Sequence, residues 1–333
     1  MRALEVLAPG DVAVRDVADP VAGDGEVLVA PILSGMCGTD LELIDGAVDP
    51  AYVRYPLVLG HEWVGEILGE LPGVAAAGDT VVVEGIIPCG ACAECRRGAT
   101  NRCVTYDEIG FTRSGAIADR IAVPAHLVHR VDPSVDHDDA SMVEPMAVVW
   151  RGLTRIARPS GQHVCVIGDG TIAMLAAYLV RHLDPESVVV VGRRDAQERL
   201  AELAGADEFT TGVPDAKFDL VIEAAGTGPS ASTAISLADR GATVVLLGLA
   251  PHGTTIQLAP EDVVNADQLI QGSFAYTRTD WAAIVTMLNA GQLHPSFLVT
   301  HRFHLNDALD ALAVLRGGVS DRSPRGKVTI ALR

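Results

Sequence analysis

Residues 164–173 read Val164-Cys165-Val166-Ile167-Gly168-Asp169-Gly170-Thr171-Ile172-Ala173, a short apolar run that breaks into two glycines and opens an alanine-rich segment. A run of this kind is a buried strand, and the alanine-rich segment after it is the start of a helix. Gly168 permits the tight turn between them. Gly170 lets the backbone approach a pyrophosphate, and Ala173 lets helix and strand pack closely, with the helix amino terminus facing the anion. A glycine turn alone is compatible with a purely structural strand-to-helix connection; the strand before it and the helix after it favour a nucleotide site.

The pattern continues on both sides of that turn. From about Pro145 to Ser273, the apolar runs Ser187 to Val191, Leu220 to Ile222 and Thr243 to Leu247 alternate with the helix-like segments Thr171 to His182, Ala196 to Leu203 and Ser230 to Ala238. Continuous apolar runs are the mark of parallel strands covered on both faces, so a doubly wound parallel α/β domain is expected. Val191 is followed by Gly192-Arg193-Arg194 where a ribose 2′-hydroxyl would call for an acidic residue. Two guanidiniums beside a glycine suit a 2′-phosphate, which favours NADP over NAD. The alternative is a solvated arginine pair with Asp195 capping a helix from Ala196. Ala225 after one later strand, and Gly248 and Leu249 after another, lie where the nicotinamide half is expected.

Met1 to about Ala140 reads differently: short apolar runs such as 26–29 and 79–83, broken by Gly and Pro, indicate a mostly β region. Within it Cys89, Cys92, Cys95 and Cys103 supply four soft ligands at short loop spacings, a structural zinc arrangement that leaves no coordination position open. Iron–sulfur ligation or a redox role are the weaker alternatives. Cys37 in Gly35-Met36-Cys37-Gly38-Thr39-Asp40, His61 in Gly60-His61-Glu62 and Glu144 in Val143-Glu144-Pro145 form a scattered second set. Thiolate, imidazole and carboxylate together can hold zinc and leave a fourth position for a substrate oxygen. Taken singly they read as a buried thiol, a core histidine and a helix-start carboxylate; taken in this order beside the other two motifs they read as a catalytic metal site.

At these residues the chain resembles the zinc-dependent medium-chain alcohol dehydrogenases over essentially its whole length. The Cys37 to Asp40 and Gly60 to Glu62 segments match the family's first two ligand motifs, Cys89 to Cys103 its four-cysteine lobe, and Glu144-Pro145 the branch that includes sorbitol, threonine, glucose and cyclitol dehydrogenases. The resemblance implies a GroES-like, mostly β catalytic domain over 1–144 and 274–333 and a Rossmann domain over 145–273, with the cleft between them. It implies two zinc ions per chain: Cys37, His61 and Glu144 on the catalytic ion, with Glu62 as a carboxylate that replaces a ligand transiently, and the four cysteines on the structural one. Thr39 becomes the proton-passing hydroxyl, and Asp40 orients the ligand loop. Glu42 stands where many relatives place a relay histidine. Cys165 matches no ligand and reads as a core residue.

The expected chemistry is reversible NAD(P)-linked oxidation of a secondary alcohol, a sugar, polyol or cyclitol, to its ketone or lactone. A zinc-free quinone or enone reductase on the same fold lacks these ligands. A non-catalytic, zinc-stabilised redox sensor is opposed by the intact Cys37, Thr39, His61 and Glu144. Length and composition agree: 333 residues suit two domains, and 49% hydrophobic residues suit packed cores. A net charge of −18 argues against nucleic acid or an anionic membrane as partner. No apolar run reaches about 18 to 20 residues, so a cytoplasmic protein is expected. His294, His301 and His304 lie in the tail without a motif, and His301 reads as a domain-contact histidine. Relatives form homodimers or homotetramers through the nucleotide domain; Thr243 to Leu249 is either an edge for such pairing or an ordinary buried strand.

Overall fold

The computed structural model describes residues 1–156, 160–317 and 323–333. The chain divides into two units: Met1–Glu144 with Tyr276–Val319 and Lys327–Arg333, and Pro145–Ala275 with Ser320–Gly326.

In the first unit the strand Glu26–Met36 is the spine of a seven-stranded sheet. It is paired along one edge by Glu62–Ile67 and along the other by Ile121–Pro124 and Lys327–Ala331, and Val29, Ala30, Leu33 and Met36 on it are buried. Val128–Arg130 and Thr80–Val83 extend the sheet one way, and Val299–His304 the other. Antiparallel register does the positioning. Gly35 stands opposite Glu62 on one side and opposite Thr329 on the other, so His61 and Lys327 arrive together where Cys37 leaves the strand. One core, with Leu4, Met36, Leu43, Leu57, Leu59, Leu312 and Val328, packs below this end. A second gathers Val29, Trp63, Ile67, Val81, Val83 and Leu127. Each such fully buried side chain contributes roughly 1.5 to 3 kcal/mol, which holds the strand ends in place.

The second unit is a six-stranded, all-parallel sheet in the spatial order Glu208–Thr210, Ser187–Val191, His163–Ile167, Phe218–Glu223, Ala238–Leu246, Leu269–Gly272. The strand that comes first in sequence lies in the middle, so the order reverses between His163–Ile167 and Phe218–Glu223. Ligands bind at such a switch point, and the glycine turn sits there. The helices Thr171–Val180, Glu198–Leu203 and Gly228–Leu237 fall within or overlap the segments read as helical.

Three differences from the sequence reading have physical causes. The fifth strand in this order ends at Leu246 rather than Leu247, because the Leu247 and Gly248 amides turn to the Glu223 carbonyl at 2.8 and 3.0 Å. That strand is internal, and the edge is Leu269–Gly272, a four-residue strand too short to show a period. Asp195 does not cap a helix at Ala196: a 3-10 turn covers Asp195–Gln197, and the Asp195 carboxylate accepts a hydrogen bond from Thr211 at 3.2 Å. Among the described residues no helix is long and apolar enough to cross a membrane.

Candidate active site

Cys37 ends the spine strand and opens the helix Gly38–Asp45. Its backbone N–H donates to Asp40 Oδ2 at 2.8 Å, which fixes the Cys37 to Asp40 turn. The other Asp40 oxygen faces His61 Nδ1 at 3.6 Å, and among the described residues neither of these buried atoms has a hydrogen-bond partner. A carboxylate held against one imidazole nitrogen leaves the other for a metal and sets the ring's orientation. Phe111 packs on the ring, centroid to centroid at 5.2 Å. The Cys37 thiol points to the Thr39 hydroxyl at 3.6 Å.

Donor atoms of Cys37, His61 and Glu62 lie within 4.8 Å of one another. Glu144, in the first turn of the helix Val143–Leu153, falls outside that set but interacts electrostatically with both His61 and Glu62. The side chains of Glu62 and Lys327 are 2% and 3% exposed and form an ion pair, and Lys327 also donates to the Met36 carbonyl at 3.2 Å. Gly35 makes room for the pair, since a Cβ there would come within 2.5 Å of Glu62 Oε2. Glu42 lies half-buried on the helix Gly38–Asp45.

The electrostatics explain why a cation belongs here. Burial pushes the Glu144 carboxyl up to about 8 and Glu108 up to about 7, and it raises Asp40 against the pull of His61. Burial alone would lower His61, but Asp40 and Cys37 beside it hold it well above its usual value. Lys327 is likewise raised, with Glu62 outweighing burial. Four carboxyls and a thiol thus surround two basic groups. A soft thiol, an imidazole and carboxylates with an excess of acid form a donor set that fits zinc.

The other cluster is more regular. The four sulfurs of Cys89, Cys92, Cys95 and Cys103 lie within 4.8 Å of one another, with Cys89 to Cys95 at 3.9 Å and Cys92 to Cys95 at 3.5 Å. A regular tetrahedron with zinc–sulfur bonds of about 2.3 Å places sulfurs about 3.8 Å apart. Backbone N–H groups of Cys89, Cys92 and Cys95 point at neighbouring sulfurs at 3.3 to 3.5 Å, as thiolate ligands require. All four are free of disulfides.

In the second unit the helix Thr171–Val180 begins at Gly170 with no side-chain cap, and among the described residues no atom lies within 4 Å of where a Gly170 Cβ would stand. An uncapped helix start with open space at a glycine fits a pyrophosphate. Gly168 has φ +131°, a conformation that glycine alone adopts readily. Thr171 and Ile172 are half-buried in the first helical turn and Ala173 is fully buried. Gly192 is buried, Arg193 exposed and Arg194 half-buried after the strand Ser187–Val191. Ala225 and Gly226 donate their N–H groups to Glu223 at 2.8 Å. A Gly248 Cβ would meet Gly226 N at 2.2 Å, so these two turns touch; Leu249 beyond them is exposed. Cys165 is buried in the central strand. His301 lies on the strand Val299–His304, with Nδ1 at 2.9 Å from the Thr300 hydroxyl.

Sequence reasoning missed Lys327 and, although it placed residues 223–226 at the nicotinamide half, the part Glu223 plays there in accepting the Ala225 and Gly226 amides. An acidic residue ending an otherwise apolar strand was a readable signal for Glu223. Lys327 carried none, because a lysine at the start of a strand ordinarily marks a solvated end.

Comparison with known proteins agrees with this geometry. Residues 23–133 match the profile of the alcohol dehydrogenase GroES-like domain, and residues 138–319, more than half the chain, match that of the glucose dehydrogenase C-terminus. The chain belongs to the zinc-dependent medium-chain alcohol dehydrogenase family. It is an NAD(P)-dependent zinc oxidoreductase of alcohols. It is 28% identical over 341 residues to an L-threonine 3-dehydrogenase of Cronobacter sakazakii, covering 97% of this chain and 98% of that protein. Among solved structures it is similar to a protein described as a zinc-binding dehydrogenase from Sinorhizobium meliloti, bound to NADP, at 26% identity and TM-score 0.91, covering 99% of each chain. Galactitol-1-phosphate dehydrogenase from Escherichia coli shows 25% identity and TM-score 0.88, covering 100% of both chains.

Proposed function

We propose that this dehydrogenase interconverts a secondary alcohol of the sugar, polyol or cyclitol class and its ketone or lactone, with NADP preferred to NAD. The observation that carries the reading is the meeting of Cys37, His61 and an excess of buried carboxyls at one strand end. Cys37, His61 and Glu144 hold the catalytic zinc, Cys89, Cys92, Cys95 and Cys103 a structural one, and the unit containing them is the catalytic domain. Bound at the first site, zinc would supply Lewis acidity toward an alcohol oxygen, and a bound nicotinamide would supply the hydride acceptor.

The chain's own groups do the rest. Thr39 Oγ1, beside Cys37, accepts the alcohol proton and donates its own onward, since a hydroxyl does both. Asp40 holds the His61 ring. Lys327 restrains Glu62, whose carboxylate lies close enough to Cys37 and His61 to substitute for a ligand during turnover. Glu108, which interacts electrostatically with His61, offers a hydroxyl-binding oxygen near the centre, which suits a substrate with several hydroxyls. The turn Gly192 to Arg194 supplies positive charge for a 2′-phosphate. Gly168, Gly170, Thr171, Ile172 and Ala173 hold the pyrophosphate half, and Ala225, Gly248 and Leu249 the nicotinamide half. The edge strand Leu269–Gly272, with exposed Leu269 and Phe274 nearby, supports pairing into a homodimer or homotetramer.

The test is a panel of sugars, polyols, cyclitols, amino alcohols and simple secondary alcohols with each cofactor, together with metal analysis. Two zinc ions per chain and activity on a polyhydroxylated secondary alcohol are expected. Cys37→Ser should lose activity and one zinc while keeping its fold. Carbonyl reduction that survives that change overturns the mechanism.

A further inference from the structure

The two arginines after the strand Ser187–Val191 do not stand in equivalent places. Arg194 is folded back onto Asp169, the residue between the two glycines of the nucleotide turn. One Asp169 oxygen accepts from Arg193 N at 3.0 Å, Arg194 N at 3.1 Å and Arg194 Nε at 3.2 Å. The other accepts from Arg194 Nη2 at 3.3 Å, and the Asp169 carbonyl takes a further bond from the same nitrogen at 3.2 Å. The side chains of Arg194 and Asp169 are only 17% and 10% exposed. Arg193 is the opposite case: it is exposed, and among the described residues its guanidinium has no ion-pair or hydrogen-bond partner.

The turn is braced further. Gln197 donates to the Asp169 carbonyl at 2.5 Å and to the Arg325 carbonyl at 2.9 Å, and its own oxygen accepts from Arg325 N at 2.7 Å. Gly192 permits the approach, since a Cβ there would stand 2.9 Å from Asp169 Cβ and 2.7 Å from the Phe209 ring. Asp169 has therefore spent its acceptor capacity inside the protein. Burial would raise this carboxyl, yet the Arg194 hydrogen bond and the Arg193 amide hold it below its usual value, so it stays charged. It is not placed to take the hydroxyls of an adenosine ribose, as the acidic residue of an NAD-binding turn does.

We propose that Asp169 divides the labour of the arginine pair: it consumes the charge of Arg194 to fix the turn, and Arg193 alone recognises the 2′-phosphate. This rests on the NADP reading above. Asp169 and Arg194 are then positioning residues. Their charges cancel, and removing one without the other exposes a charge beside the phosphate, whereas removing both together does not.

The experiment is calorimetric binding of 2′,5′-ADP and of 5′-AMP, which needs neither metal nor turnover; the ratio of the two affinities isolates the 2′-phosphate. Arg193→Ala should lower that ratio about ten- to hundredfold, the worth of a charged hydrogen-bonded pair, with 5′-AMP binding retained. Arg194→Gln should lower it about fivefold or more by baring the Asp169 carboxylate. Asp169→Asn in the Arg194→Gln background should restore it to within about threefold of wild type, a rescue that only charge cancellation predicts. If the double variant stays as deficient as Arg194→Gln, Arg194 grips the phosphate itself and the proposal is overturned. Should Arg194→Gln not fold, the double variant against wild type decides alone: a near-wild-type ratio supports the proposal and a tenfold loss overturns it. A wild-type chain that binds both nucleotides equally overturns the NADP reading and this one with it.

Discussion

Replacing Lys327 by methionine removes one charge from a pair that water scarcely reaches and keeps most of the side chain's volume. Glu62 would be left buried with the acids Asp40 and Glu144 as neighbours and, among the described residues, His61 as the remaining basic group. Breaking a buried ion pair from one side costs about 3 to 5 kcal/mol, because the remaining charge stays desolvated. For a domain of this size, each kcal/mol moves the unfolding midpoint by roughly 2 to 4 °C, so the metal-free variant should melt about 6 to 20 °C below the metal-free wild type. Zinc changes the answer. A divalent ion bound at Cys37 and His61 would sit within reach of Glu62 and take over the neutralising role, so the zinc-loaded variant should lose less than half as much. The Lys327 pair does not switch near neutrality. Its ammonium is raised above the ordinary 10.5, so its contribution is fully present below that value and is lost only as pH rises through the raised one. Calorimetry at pH 7 on chelated and zinc-loaded protein reads both numbers. An unchanged midpoint in the metal-free form, or an identical drop in both forms, would show that Glu62 is not the group this lysine holds beside the metal.

Chelation of the zinc proposed at Cys89, Cys92, Cys95 and Cys103 should expose the four thiols unequally. Backbone N–H groups of Ala91 and Cys92 pull Cys89 down to about 6, so its thiolate fraction and alkylation rate should rise with pH through about 6 and be nearly complete at pH 7. Burial pushes Cys95 and Cys165 up to about 12, so mass spectrometry should find them labelled last, and zinc should protect Cys89. Labelling of Cys165 ahead of Cys89 contradicts this order. Gly168→Ala places a side chain at φ +131°, with its Cβ 3.1 Å from the Ala224 carbonyl carbon, at a strain of about 1 to 3 kcal/mol. It should weaken 5′-AMP binding at least tenfold while zinc content stays at the wild-type level; wild-type nucleotide affinity would remove this turn from the site.

How much of the molecule is legible in its sequence depends on the range of the interactions concerned. Cys89 to Cys103 and Gly168 to Ala173 are legible because ligands or backbone turns a few residues apart have little choice of geometry. The strands His163–Ile167, Ser187–Val191 and Phe218–Glu223 are legible because burial on both faces leaves an unbroken apolar run. Leu269–Gly272 and Val299–His304 escaped for the converse reason, being short or polar, so that neither run length nor alternation marks them. The partner of Glu62 lies 265 residues away in sequence and is brought to it only by the register of the strand Lys327–Ala331 on Glu26–Met36. The Asp169 to Arg194 contact spans 25 residues and joins two turns that were each read separately.

Strand register and apolar packing together make the acid excess tolerable. Asp40, Glu62, Glu108 and Glu144 come from four separate segments, and none would be driven inward by its own transfer energy. Each is carried in by apolar neighbours: Leu43 and Ile44 beyond Asp40, Trp63 and Val64 beyond Glu62, Ile109 beyond Glu108, Val143 and Met146 around Glu144. Burial of those side chains holds the carboxyls together: desolvation raises both Glu108 and Glu144 toward neutrality, and at Glu144 repulsion from Glu62 and Glu108 adds to it. A cation entering such a site gains attraction already built into the fold, because the groups need no further ordering to meet it. On this view the hydrophobic residues flanking each ligand act on metal affinity as surely as the ligands do. Trimming Trp63 or Met146 would loosen zinc without touching a donor atom.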